Sequence, residues 1–198
     1  MAEINNLYII QRRFWMDKIK YLALLRGINV GGKNIIKMDE LKKLFEEMKF
    51  INIKTYIQSG NVIFQDYENN KIKIQKKIEK VLYKKLNISI NIAIFTFSEI
   101  EEIVNKKPKK FGEDIENKYE VIYLIEPLNI NEAIKEIKTR EGVDKMFKGK
   151  NVIYISRLIK NLNKSYFSKI IDTPIYQNIT IRNWNTTKKL YELMKNGN

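Results

Sequence analysis

Tyr21-Leu22-Ala23-Leu24-Leu25-Arg26-Gly27-Ile28-Asn29-Val30-Gly31-Gly32-Lys33-Asn34 passes from an unbroken apolar run into a loop with three glycines, two asparagines and two cations. Apolar residues on both faces of Tyr21 to Arg26 predict a strand buried on both sides. Met38, Leu41, Leu44, Phe45 and Met48 then recur at three- and four-residue spacing, which predicts an amphipathic helix. Strand, glycine loop and helix set the frame for the rest of the chain.

Downstream, Ile53 to Gln58 and Val62 to Gln65 read as strands joined by a tight turn at Ser59-Gly60. Ile74, Ile78, Val81, Leu82 and Leu86 mark a second amphipathic helix. Ile88 to Phe97 reads as a strand, and Ser98 as the cap of a short helix with Glu101 at the capping-box position. A polar stretch from Asn105 to Lys118, with Pro108 and Gly112, reads as a linker. The order then recurs. Tyr119 to Ile125 is a strand, and Ile130, Ala133, Ile134 and Ile137 make a helix. Val143 to Phe147 and Asn151 to Ser156 flank a turn at Lys148-Gly149-Lys150. Leu162 to Ile171 reads as helical and Ile175 to Arg182 as extended. Asn185 or Thr186 caps a last helix.

Ser59-Gly60-Asn61-Val62-Ile63-Phe64 and Gly149-Lys150-Asn151-Val152-Ile153-Tyr154 sit at matching places, which suggests a duplication. The β-α-β-β-α-β order is the ferredoxin-like motif. The expected fold is therefore α+β, with two tandem ferredoxin-like subdomains, antiparallel sheets and an extra helix in each. Their expected bounds are residues 18–106 and 119–198, with an N-terminal extension over 1–17 and a linker over 107–118. Residues 1–16 show no period, and Met16 is an alternative start.

Hydrophobic residues at 44% suffice for a core. The longest apolar runs, such as Val121 to Ile125, fall far short of the ~20 residues a membrane helix needs. Residues 1–15 do not read as a signal peptide, because Arg12 and Arg13 follow the apolar Leu7 to Ile10. The expected location is the cytoplasm, with no membrane partner. Cysteine and histidine are both 0, which excludes thiolate sites, cysteine nucleophiles and a Ser-His-Asp triad. No cofactor and no zinc site are expected. The net charge of +14 has two readings. One is a nucleic-acid partner, bound through counterion release. The other is a chain rich in Lys, Ile and Asn throughout. The same two readings hold for Lys71, Lys73, Lys76, Lys77, Lys80, Lys84 and Lys85, which crowd the second helix.

Three stretches carry candidate ligand-binding residues. In the first, a glycine-rich turn before a helix exposes N–H groups near a positive dipole end, which favours an anion. Arg26, Lys33 and Lys37 add charge there, and Asn29 and Asn34 add directional hydrogen bonds. Gly27, Gly31 and Gly32 let the backbone approach a ligand, although glycines also serve a turn alone. A Walker loop would need Ser or Thr where Asn34 stands. In the second, Tyr56, Gln58, Ser59 and Asn61 bring more hydrogen-bonding tips than a hairpin turn needs. Ser59 has no histidine to activate it, so its expected part is binding. The third is Arg182-Asn183-Trp184-Asn185-Thr186, followed by Lys188 and Lys189. Cations in a first helical turn oppose the dipole, and an anion nearby would relieve them.

Ala23 to Asn34 with Lys37-Met38, Thr55-Tyr56-Ile57-Gln58-Ser59-Gly60-Asn61-Val62, and Arg182 to Thr186 with Lys189-Leu190 resemble three signatures of one bacterial family. That family consists of conserved hypothetical proteins and is classed only as a domain of unknown function. The resemblance spans about Tyr21 to Leu193. It implies an α+β fold of two subdomains and no established activity. Lys49-Phe50 departs from the Gly-Phe usual after the first helix of that family. The leading expectation is a protein that binds a phosphate-bearing or other anionic ligand at the first glycine loop. Hydrolase-type chemistry there would use Arg26 and backbone N–H groups, with Asn61 or Asn29 orienting a water. Small phosphatases of the ferredoxin-like class offer a fold-level analogy only. A nucleic-acid binding module is the alternative, and a protein-interaction module the third reading.

Overall fold

The computed structural model describes residues 17–32 and 34–197; the expectations for residues 1–16 and for Lys33 lie outside them. In the first half, β1 (Ile19–Leu25), α1 (Met38–Glu47), β2 (Ile51–Tyr56), β3 (Asn61–Asp66), α2 (Lys71–Leu86), β4 (Ile92–Thr96) and α3 (Phe97–Asn105) follow one another. The second half contains β5 (Asn117–Leu124), α4 (Ile130–Glu136), β6 (Asp144–Lys148) and β7 (Val152–Leu158). Three 3₁₀ segments, Ile159–Lys164, Phe167–Asp172 and Pro174–Asn178, then lead into β8 (Ile179–Asn183) and α5 (Trp184–Asn196). The fold is α+β, with two four-stranded antiparallel sheets ordered β2-β3-β1-β4 and β6-β7-β5-β8.

Strand periodicity divides the molecule into layers, because alternate side chains point to opposite faces. Tyr21, Ala23 and Leu25 of β1 pack with Leu41 and Phe45 of α1 and with Ile74, Ile78 and Leu82 of α2. Leu22 and Leu24 point the other way and share a central core with Val121, Tyr123 and Tyr154 of the second sheet. Trp184, Leu190 and Met194 of α5 close that core. Ile122 and Leu124 face outward again, under Ala133 of α4 and under Phe167 and Ile170 of the 3₁₀ segments. Sheet therefore packs on sheet through faces that carry neither α1 nor α2.

Five local expectations need correction. The short helix starts two residues early: Thr96 caps it, its hydroxyl accepting from the Glu99 N–H while the Glu99 carboxylate accepts from the Thr96 N–H. Both pairs fit a capping box, and the earlier one wins because β4 ends at Thr96. The last helix is capped by Asn183, whose side chain accepts from the Asn185 N–H at 2.8 Å. The expected helix from Leu162 to Ile171 falls into parts of two 3₁₀ segments, separated at Ser165, whose backbone is extended with ψ 129°. The first residues of the expected final strand, from Ile175, also lie in a 3₁₀ segment. Finally, the two similar hairpin stretches face opposite ways. Val62 and Phe64 point to α1 and α2, whereas Val152 and Tyr154 point into the central core. The ladder pairing of the two stretches is alike, but equivalent side chains enter different cores, so the shared wording does not carry the same packing.

Lys49 takes the left-handed conformation, with φ +65°. Its N–H reaches the Glu46 carbonyl at 2.8 Å, and the Phe50 N–H reaches Phe45 at 3.3 Å. The helix thus closes as a glycine would close it, with lysine carrying the steric cost. Lys49→Gly is expected to raise stability by roughly 1 kcal/mol. A higher urea midpoint at unchanged m-value checks this.

Candidate functional site

The loop after β1 is shaped by its own side chains. Gly27, Gly31 and Gly32 all have positive φ, and a Cβ at any of them would meet open space, so the backbone angle alone favours glycine there. Asn29 spends both ends of its amide. Its Oδ1 accepts from the Ile36 N–H at 2.8 Å, and its Nδ2 donates to the Ile36 and Gln58 carbonyls at 3.0 and 2.8 Å. Asn34 Nδ2 donates to the Gly27 carbonyl at 3.1 Å. The loop is thereby closed on itself and pinned to the β2–β3 turn. Asp39 and Glu40 occupy the first turn of α1, so carboxylates already complement that helix dipole. Any anion at this loop is left to the arginine and the loop amides.

Beneath the loop lies Arg182. It is only 7% exposed and has no carboxylate among its hydrogen-bond partners in the described residues. Nε donates to Asn61 Oδ1 at 2.6 Å, one Nη to Thr180 Oγ1 at 2.8 Å and to the Ile181 carbonyl at 2.9 Å. The other Nη donates to the carbonyls of Leu25 at 2.9 Å and Ser59 at 2.8 Å. Burial pushes its pKa down to about 10, still far enough above neutrality to keep the cation. The shift costs stability below that pH, and the cost fades as pH rises through it, because the unfolded chain then holds more protons. Asn61 is fully buried, with Nδ2 donating to the Tyr56 carbonyl at 2.9 Å and to Ser59 Oγ at 3.0 Å. Neither Asn29 nor Asn61 is therefore available to orient a water, which corrects the expectation for both.

Three segments far apart in sequence thus meet at one buried guanidinium: the end of β1, the β2–β3 turn and β8. Gly60 completes the junction. Its φ is +71°, and a Cβ would come within 2.6 Å of Ile28 Cδ1 and 2.8 Å of Leu25 Cβ.

Arg26 stands at the rim of this junction, half-buried. Its Nε donates to the Tyr176 carbonyl at 2.9 Å, and its guanidinium lies over the Tyr176 ring at 4.6 Å. The Arg26 N–H donates to the Asn91 carbonyl at 3.1 Å, and Asn91 Nδ2 donates to the Gln177 carbonyl at 2.9 Å. Tyr176, Asn91 and Gln177 carry no signature in the sequence, and only the fold brings them here. Exposed Gln58 and half-buried Ser59 border the same rim. Tyr56 is half-buried against the central core.

The remaining candidates lie elsewhere. Asn183 and Trp184 line a cleft of about 420 Å³ whose other walls include Glu113 and Asp114. Trp184 is buried, stacks edge-on against Phe111 and leaves no room for a Cβ on Gly112, which would sit 2.3 Å from its Nε1. Lys189 pairs on the helix surface with Glu192 at 3.5 Å.

The family model described as "Protein of unknown function (DUF1697)" matches residues 19–154. The chain belongs to the DUF1697 family. The stretch matched contains the first two signature-like segments and stops before Arg182. Among solved structures, the DUF1697 chain is similar to conserved bacterial protein SP0830 from Streptococcus pneumoniae, with a TM-score of 0.80 and 23% identity over 90% of this chain and 99% of the other. That likeness is one of fold. Two curated relatives, both named DNA polymerase IV and both from strains of Ureaplasma parvum serovar 3, are 30% identical over 141 residues. The match takes in 70% of this chain and 38% of the length of those relatives. Among the described residues of this DUF1697 protein, no helix is long and apolar enough to cross a membrane.

Proposed function

We propose that this DUF1697 protein binds a phosphate-bearing or other anionic ligand at the rim formed by Arg26, the glycine loop and the β2–β3 turn. The supporting observation is Arg26 itself. Its guanidinium is oriented by Tyr176 through a hydrogen bond and a ring face, and no carboxylate pairs with it among the described residues. Such a group is ready for a bidentate anion at little entropic cost. Exposed glycines with positive φ beside it allow a ligand to approach the backbone. The rim residues named here include no carboxylate and no histidine, so the reading is one of binding and not of turnover. Lys33 is a further candidate cation from sequence, and the reading does not depend on it. The same strand order in both sheets supports two ferredoxin-like subdomains, 18–106 and 119–198, joined by 107–118. A cytoplasmic location belongs to the same proposal.

Titration calorimetry with pyrophosphate tests it. Arg26→Ala is expected to weaken binding ten-fold or more, since a charged hydrogen bond is worth about 1.5–3 kcal/mol. Replacing Lys73, Lys76, Lys80 and Lys84 together by Glu should leave pyrophosphate affinity within a few-fold.

The second reading is a nucleic-acid module. It is favoured by the exposed lysines of α2 and by the name of the curated relatives, which match over only part of their length. If it holds, the four-lysine reversal abolishes binding of a single-stranded oligonucleotide while Arg26→Ala leaves it intact.

A further inference from the structure

A second cleft lies on another part of the molecule, between α2 and the loop that joins β5 to α4. Its volume is about 370 Å³, within the range of small-ligand sites, and none of the signature residues lines it. Phe95, Leu124 and Leu128 supply an apolar floor, and Gln75, Asn129 and Asn151 supply amides.

Two of these amides, Gln75 and Asn129, are oriented by their other bonds. Gln75 Nε2 donates to Glu79 at 2.9 Å, so its oxygen remains as an acceptor. Asn129 Oδ1 accepts from the N–H groups of Asn131 and Glu132, both at 3.0 Å, so its Nδ2 remains as a donor. The cleft thus offers one fixed acceptor and one fixed donor beside apolar side chains. Its charge does not favour anions. Lys71 lies over the Phe95 ring but is matched by Glu99 at 2.6 Å and faces Glu126 at 3.9 Å. Lys71 and Glu126 are the charged residues of the lining and offset each other, so no cation is left for an anion.

We propose that this cleft binds a neutral planar heterocycle of the nucleobase kind, as free base or nucleoside and not as nucleotide. Paired amide donors and acceptors suit the mixed edge of such a ring, and the apolar floor suits its face. A phosphate tail would meet Glu126. The inference is independent of the anion reading, because the two sites share no residue.

Titration of the full chain with adenine, uracil, adenosine, uridine and the two monophosphates, followed by calorimetry, decides it. At least one nucleoside is expected to bind at one per chain, with its monophosphate about ten-fold weaker. Asn129→Asp keeps the helix cap, since Asp caps as well as Asn, but removes the donor. It should weaken the nucleoside about ten-fold. Leu128→Trp should fill the cleft and abolish binding, with melting temperature and circular dichroism confirming that both variants fold. Arg26→Ala should leave nucleoside affinity unchanged. The proposal is overturned if no nucleoside or free base binds, if both cleft variants bind as the parent does, or if the monophosphate binds as tightly as the nucleoside.

Discussion

Arg182→Ala is expected to destabilise the protein by about 3–5 kcal/mol, because several buried neutral acceptors lose one charged donor at once and the side chain leaves a void. The guanidinium satisfies the carbonyls of Leu25 and Ser59 and the amide oxygen of Asn61. Each buried acceptor left alone costs about 1–3 kcal/mol, and the sum is not additive where water enters the void. Arg182→Lys should recover part of the loss, because one ammonium cannot reach acceptors spread over a planar fork. Urea unfolding followed by far-ultraviolet circular dichroism gives both values. A loss below about 1 kcal/mol for the alanine variant would mean that the three segments hold together without this residue.

The second large effect is expected at Gly60. Gly60→Ala places a methyl group against Ile28 and Leu25 on a backbone with φ +71°. The left-handed conformation costs about 1–2 kcal/mol and the overpacking about 1–3. A combined loss of roughly 2–5 kcal/mol is expected in the same unfolding assay. Gly31→Ala, which has a positive φ but open space, should show only the first part. Equal losses at the two positions would contradict the close packing of the turn over Ile28.

Much of the fold is legible in the sequence because it rests on periodicity. The two-sided apolar run of β1 fits a strand with a helix layer on one side and a second sheet on the other. The spacing of Leu41, Leu44 and Phe45 fits the face that α1 buries. Boundaries are harder where two solutions compete locally. Thr96-Glu99 and Ser98-Glu101 both satisfy the capping pattern, and only the end of β4 decides between them. The segment from Ile159 to Asn178 has apolar residues at Phe167, Ile170 and Ile175, but their spacing does not announce 3₁₀ geometry.

The candidate site is legible in part. Loop, turn and β8 stand out by composition, and that they meet is a property of topology alone. The asparagines of the loop look like ligand contacts in sequence because Asn has a donor and an acceptor. The structure uses those same groups to close the loop. Arg182 has the residue type expected of an anion reader, yet its donors are consumed by backbone carbonyls and by the side chains of Asn61 and Thr180. Arg26 keeps a free flank because its partner, Tyr176, offers a ring face and one carbonyl and no carboxylate.

Backbone amide chemical shifts of the labelled full chain, followed during addition of pyrophosphate, test the proposed rim most directly. The account predicts saturable shifts at residues 26–32 and 57–60 that are lost in Arg26→Ala. Shifts confined to the lysine face of α2, or shifts unchanged by Arg26→Ala, would contradict it.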